Sequence, residues 1–161
     1  MTVLSAYKST TTSRATTFDS DDPDLVIPVQ ANTTYLIEAF LRITTNTASG
    51  SWVPTRFRFS VPPSIVRGFY TFHRDVVDTD GTGGGGGAFG DPPEEILQVT
   101  RSLTTYTDYN GNTDGGFNHS IYGLITTGAS TGTVAIRWGQ TATSSDPAQL
   151  LAPSWLLLQS V

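Results

Sequence analysis

Read for hydrophobic period, this chain predicts an all-β fold: an antiparallel two-sheet sandwich, jelly-roll-like, with about eight strands. Three observations carry that expectation. Several segments alternate apolar and polar residues with a period of two, the period of a half-buried strand. Charged residues make up only 14% of the chain, and the balance is rich in Thr, Ser, Gly and Asn, which suits strands and turns better than surface helices. No segment of helical length carries a 3.6-residue apolar stripe, Ala148–Ala152 being too short to stand as a helix alone.

The elements follow in order. Residues 1–20 are polar and Thr-rich, which predicts an extended N-terminal arm on a neighbouring subunit, or an edge strand. As an arm it would be removable without unfolding the rest. An acidic turn, Asp19–Asp24, leads to a short strand, Leu25–Val29, whose Pro28 places it at a sheet edge. Thr34–Thr45 is the clearest strand: Tyr35, Ile37, Ala39, Leu41 and Ile43 share one face, and Leu36, Glu38, Phe40 and Arg42 the other. Thr55–Val61 turns Phe57, Phe59 and Val61 inward and stops at Pro62-Pro63. Ile65–Val77 is a further long strand. Residues 80–93 hold five consecutive glycines, Gly83–Gly87, and read as a flexible surface loop. Glu94–Tyr106 resumes as a strand, Asp108–Gly116 is a turn-rich loop, and Ser120–Thr127, Thr133–Thr141 and Trp155–Ser160 complete the set. Residues 21–161 thus form a single sandwich domain, a size that buries a core without staples.

Composition removes several functions. The net charge is −5 and the nine Lys and Arg residues are scattered, so no basic stripe for nucleic acid or an anionic membrane is expected. With no cysteine there is no disulfide, thiolate nucleophile or Cys-ligated metal. Residues 1–20 lack an apolar core, so no secretory signal is expected, and no run approaches the roughly 18 apolar residues of a membrane span.

The motifs that resemble chemistry are incomplete. The glycine run is followed by Ala88-Phe-Gly-Asp-Pro-Pro, without the Lys-Ser/Thr of a phosphate loop. Asp78 and Asp80 open like a calcium loop, and Asp108, Asn110, Asn112 and Asp114 have its ligand spacing, yet Phe89 and His119 stand where the bidentate Glu belongs. These clusters, and the acidic run at Asp19–Asp24, read as turns before they read as cation sites. No G-x-S-x-G elbow is present, neither His73 nor His119 is framed by a carboxylate motif, and Glu94 and Glu95 point to opposite faces of a strand. No enzyme and no cofactor are expected. Trp52, Trp138 and Trp155 invite a sugar-stacking reading; Trp138 and Trp155 lie in apolar strands and read as core or subunit interface, while Trp52 in its loop is the better ligand contact. Tyr7, Arg14, Phe18, Phe89 and Gln140 are further candidates for interface or ligand contact.

Three segments carry a family resemblance. Asp21-Asp-Pro-Asp-Leu-Val-Ile-Pro-Val-Gln-Ala-Asn-Thr-Thr-Tyr-Leu-Ile-Glu-Ala-Phe-Leu41 resembles the opening of a group of small tailed-bacteriophage virion proteins: acidic turn, Leu-x-x-x-Val, Ala-x-x-x-Tyr, alternating strand. Gly123-Leu-Ile-Thr-Thr-Gly-Ala-Ser-Thr-Gly-Thr-Val-Ala-Ile-Arg-Trp-Gly-Gln-Thr141 is similar to that group's strand with Trp-x-Gln, and Pro153-Ser-Trp-Leu-Leu-Leu158 to its closing strand. Pro153 departs from the group's usual Gly and Gly139 from its frequent Ala, and residues 65–116 are unmatched. The resemblance implies a jelly-roll-like virion protein without catalytic residues, assembled in the host cytoplasm. It implies a homo-oligomer, often a trimer, seated on a major capsid, neck or tail protein. A capsid decoration (cement) or short fibre role is favoured on size; a minor tail protein, or a module binding host glycan, is the alternative.

Overall fold

A computed structural model describes residues 1–17, 19–45, 55–77, 99–109, 116–144 and 146–161. They form eleven strands: β1 (Val3–Tyr7), β2 (Thr12–Arg14), β3 (Ser20–Val29), β4 (Thr34–Thr45), β5 (Thr55–Ser60), β6 (Ile65–Val77), β7 (Val99–Ser102), β8 (Thr107–Tyr109), β9 (Gly116–Thr127), β10 (Gly132–Gln140) and β11 (Ala148–Ser160). Every pairing is antiparallel.

The smaller sheet runs β3-β10-β5-β8, and the larger β1-β11-β4-β9-β6-β7, with β2 also on β11. From β3 to β10 the strands occupy positions 1-8-3-6 in one sheet and 2-7-4-5 in the other. That order is the eight-stranded jelly roll with its two Greek keys. Three strands extend it: β11 adds beside β4, and β1 and β2 lie end to end on the far side of β11. Their break faces a bulge in β11 between Leu151 and Trp155, which contains the cis Ala152–Pro153 bond.

The alternating strands behave as their sequences require. Tyr35, Ile37, Ala39, Leu41 and Ile43 of β4 are buried, as are Phe57 and Phe59 of β5, and they meet Ile27, Tyr70, Ile121, Val134, Ile136, Leu156 and Leu158 in one core. Phe57, Phe59, Tyr70 and Phe72 pack edge-on or tilted, with centroids 5.3–6.3 Å apart. Two glycines permit close approach. A Cβ on Gly123 would lie 2.5 Å from the Phe69 carbonyl oxygen, and one on Gly68 would lie 2.1 Å from Leu103 Cδ1.

The two ends of the sandwich differ. Connections 30–33, 61–64, 103–106 and 128–131 are four residues each and share one end. Three of them are stitched together: Asn32 N donates to Gly128 O at 2.8 Å, Gly128 N to Ser64 O at 2.6 Å, and Ser130 N to Ser64 Oγ at 3.2 Å. The buried Thr127 hydroxyl accepts from Thr33 N at 2.9 Å and donates to Gln30 O at 2.7 Å. The opposite end carries the strand termini Thr45, Thr55, Val77, Tyr109, Gly116, Gln140 and Ala148, as the registers Thr44 to Gly116, Val77 to Gly116, Thr55 to Tyr109 and Thr55 to Gln140 require.

Two expectations are corrected, one is narrowed and one is met. The acidic run is not a turn: Ser20–Asp24 is the first half of β3, because each carboxylate there finds a cation or a donor. Of the two readings of the N-terminal segment, arm or edge strand, residues 3–7 take the second: they pair with this chain's own β11, register Val3 to Gln159 through Tyr7 to Trp155, at the edge of the larger sheet, and are not an arm held out for a neighbour. Asp108 belongs to β8, opposite Arg56, and not to a loop. Pro28 does lie on an edge strand, since β3 pairs with β10 alone.

Candidate functional site

Two surfaces gather the side chains of interest. The first is a charged clasp along β3. Lys8 leaves β1 and turns inward, where its ammonium reaches Asp22 Oδ2 at 2.8 Å, Asp22 Oδ1 at 3.0 Å and Thr12 Oγ1 at 2.6 Å, with Asp24 Oδ2 at 3.7 Å. Trp138 Nε1 donates to the same Asp22 Oδ2 at 3.2 Å. The Arg14 guanidinium lies over the Trp138 ring, 4.4 Å from its centroid, and donates to the carbonyls of Ser20, Asp21 and Trp138. Burial lowers the Arg14 pKa, and Asp22, Asp19 and Asp21 offset part of that shift. Arg137 is held above its ordinary value by its hydrogen bond to Asp21, 2.7 Å from Nε to Oδ1. On β5, Arg56 and Arg58 both stack on Tyr106, at 4.6 and 4.7 Å from its centroid, while the Tyr106 hydroxyl donates to Asp19.

Chemically this clasp is closed. Its carboxylates are matched by ammonium, guanidinium, indole and phenol donors, so it ties β1, β2, β3, β5 and β10 together rather than presenting an acid–base pair. Among the described residues no group of three His, Asp or Glu side chains is placed to hold a metal. His119 is buried against Phe57 and Phe72, with centroids 5.9 and 6.5 Å away.

The second surface is the outward face of the larger sheet. Register sets its rows. Val3, Gln159, Leu36, Leu124 and Phe69 form one row; Ser5, Leu157, Glu38, Tyr122 and Thr71 the next; Tyr7, Trp155, Phe40 and Ser120 a third; Leu151, Arg42 and Asn118 a fourth. This face is apolar where a solvated sheet would be polar. Tyr7 is 66% exposed, Val3 53%, Tyr122 49%, Phe69 46% and Leu36 44%. Phe40 and Trp155 stack at 6.5 Å with an interplanar angle of 23°. Together these side chains leave on the order of 500 Å² of apolar surface in water, the size at which a patch on a monomer is commonly functional.

No protein-family model matches the chain, and no curated protein sequence matches it. Assignment of a role therefore rests on these two surfaces.

The structure sorts the residues singled out in the sequence. Tyr7 and Trp155 come together in the third row of the outer face. Trp138 and Gln140 are removed from any contact surface, because both are fully buried. The inward direction of alternate β10 residues puts Trp138 in the core, and Gln140 Nε2 holds the Asp146 carbonyl at 3.0 Å. Arg14 is spent on Trp138 and the β3 backbone. Phe18, Trp52, Asp78, Asp80, Phe89, Asn110, Asn112 and Asp114 lie outside the described residues. Sequence reading missed Leu36, Phe40, Tyr122 and Phe69 as surface candidates. The signal was present in β4, whose second face, Leu36-x-Glu38-x-Phe40, is too apolar for a strand with one wet side.

Proposed function

We propose that this protein is a non-enzymatic structural protein of a bacteriophage virion, a capsid decoration (cement) or short fibre subunit that stabilises the particle by burying surface against its neighbours. The observation that carries this reading is the apolar outer face of the larger sheet. A flat face of this kind offers interface area and no convergent polar pocket. Two further points support it. The jelly roll is a recurrent building unit of viral shells, although fold alone does not fix function. The segments 21–41, 123–141 and 153–158 that resemble small virion proteins fall on β3, β4, β9, β10 and β11, strands that adjoin within each sheet. Copies of itself and a major capsid, neck or tail protein are the partners.

Mass spectrometry of particles purified on a density gradient tests the proposal. The chain should be present in fixed stoichiometry, and particles lacking it should release nucleic acid at lower temperature. Its absence from washed particles overturns the proposal. A glycan-binding reading has one observation in its favour: Thr45, Thr55 and Val77, the strand ends next to the segments that bear Trp52 and Phe89, lie at the same end of the sandwich. A glycan array with wild-type and Trp52→Ala protein decides it, and binding lost in the variant would favour that reading.

A further inference from the structure

We infer that the outer face of the larger sheet receives a second copy of this chain, in an isologous face-to-face contact. The two-fold axis runs across the strands along the row of Tyr7, Trp155 and Phe40. The inference deepens the assembly reading above and rests on the same face, but it names the occupant.

Three features favour a second copy. First, area: the rows of Tyr7, Trp155 and Phe40, of Leu157 and Tyr122, and of Leu151 make the apolar centre of the contact, and the row of Val3, Leu36 and Phe69, which the axis sets against Gln149 and Thr44 of the second copy, extends it towards the roughly 800 Å² that each partner gives to a standard interface. Second, charge. On the rows next to the axis the charged groups among the described residues are Glu38 and Arg42, while Arg67 of β6 lies at the margin of the face, beside Thr126. The chain as a whole is at −5, yet these central rows are neutral, so two copies meet here without like-charge cost. Third, the pattern is self-complementary. Glu38 and Arg42 lie two residues to either side of Phe40 on β4, about 13 Å apart along an extended strand, too far to pair within one chain.

Rotation about the Phe40 row brings each to the other. Phe40, Trp155 and Tyr7 then meet their own counterparts, Glu38 faces Arg42 of the second copy, Leu157 faces Leu151, and Tyr122 faces Asn118. This is the reciprocity that a two-fold contact demands. Aligned sheets stacked about 10 Å apart accommodate such interdigitation.

Light scattering coupled to size-exclusion chromatography on the full chain tests the contact. The wild type should be a dimer. Glu38→Arg alone and Arg42→Glu alone should each weaken association at least tenfold, because like charges then face one another. An equimolar mixture of the two variants should restore the dimer, since one variant then presents two positive charges on these central rows and the other two negative charges. A misfolded variant cannot give that rescue. A monomeric wild type, a trimer, single variants that stay dimeric, or a mixture that stays monomeric each overturns the inference. Should a charge reversal fail to fold, Tyr7→Glu on the edge strand gives the same reading: like charges meet on the axis, and a retained dimer overturns the contact. A monomer that still co-purifies with particles removes this contact and leaves the virion reading standing; a dimer absent from particles does the reverse.

Discussion

Lys8 is the only lysine in the chain, and its ammonium is buried between Asp22 and Thr12. Removing one partner of such a pair strands the other, which costs about 3–5 kcal/mol. Lys8→Met is therefore expected to lower the unfolding free energy by about 3 kcal/mol or more, measured by urea titration. Amine-reactive labelling gives an independent check: Lys8 should stay unmodified in the native protein and react fully in denaturant, as read by peptide mapping. Gly123 makes a second residue-scale point. Its missing side chain lets β9 pass 2.5 Å, measured from a would-be Cβ, from the Phe69 carbonyl of β6. Because that obstacle is backbone, Gly123→Ala should destabilise by about 1–3 kcal/mol, seen as a lower thermal midpoint.

At the scale of elements, β1 is the strand whose role changes most between sequence and structure. A polar, Thr-rich segment reads as an arm, but only Ala6 and Lys8 of its inward positions are buried, and Lys8 gives no apolar signal. What fixes β1 is pairing with β11 and an ion pair to β3, both made with residues far away in sequence. Deletion of residues 1–9 should therefore destabilise the sandwich by more than Lys8→Met does, and far-UV circular dichroism in urea measures it. The strands that alternate strongly, β4 and β5, are legible because one face is apolar and the period of two is unbroken, whereas β10 is buried on both faces over Val134–Ile136 and is legible from its β-branched and aromatic residues. The two three-residue strands, β2 and β8, offer too few residues to show any period. The acidic run misleads because Asp and Pro are turn residues by local preference, and the arginines and lysine that hold Asp19, Asp21 and Asp22 extended come from β1, β5 and β10. The outer face was legible only in part, since its rows are assembled across five strands that the sequence does not juxtapose.

For the molecule as a whole, the pairings join distant residues: β1 with β11, β3 with β10, β4 with β9. Chains dominated by such contacts close long loops before contacts reward them, and fold in roughly milliseconds to seconds. Stopped-flow refolding monitored by tryptophan fluorescence is expected to fall in that range, with burial of Trp138 as the reporter. The stitched end of the sandwich also sets what a change of loop length would cost. A residue inserted into connection 30–33, 61–64 or 128–131 would disturb bonds that Asn32, Ser64, Thr127 and Gly128 share. The cost is not local, because the backbone of one connection is the hydrogen-bond partner of another, as Gly128 is for both Asn32 and Ser64.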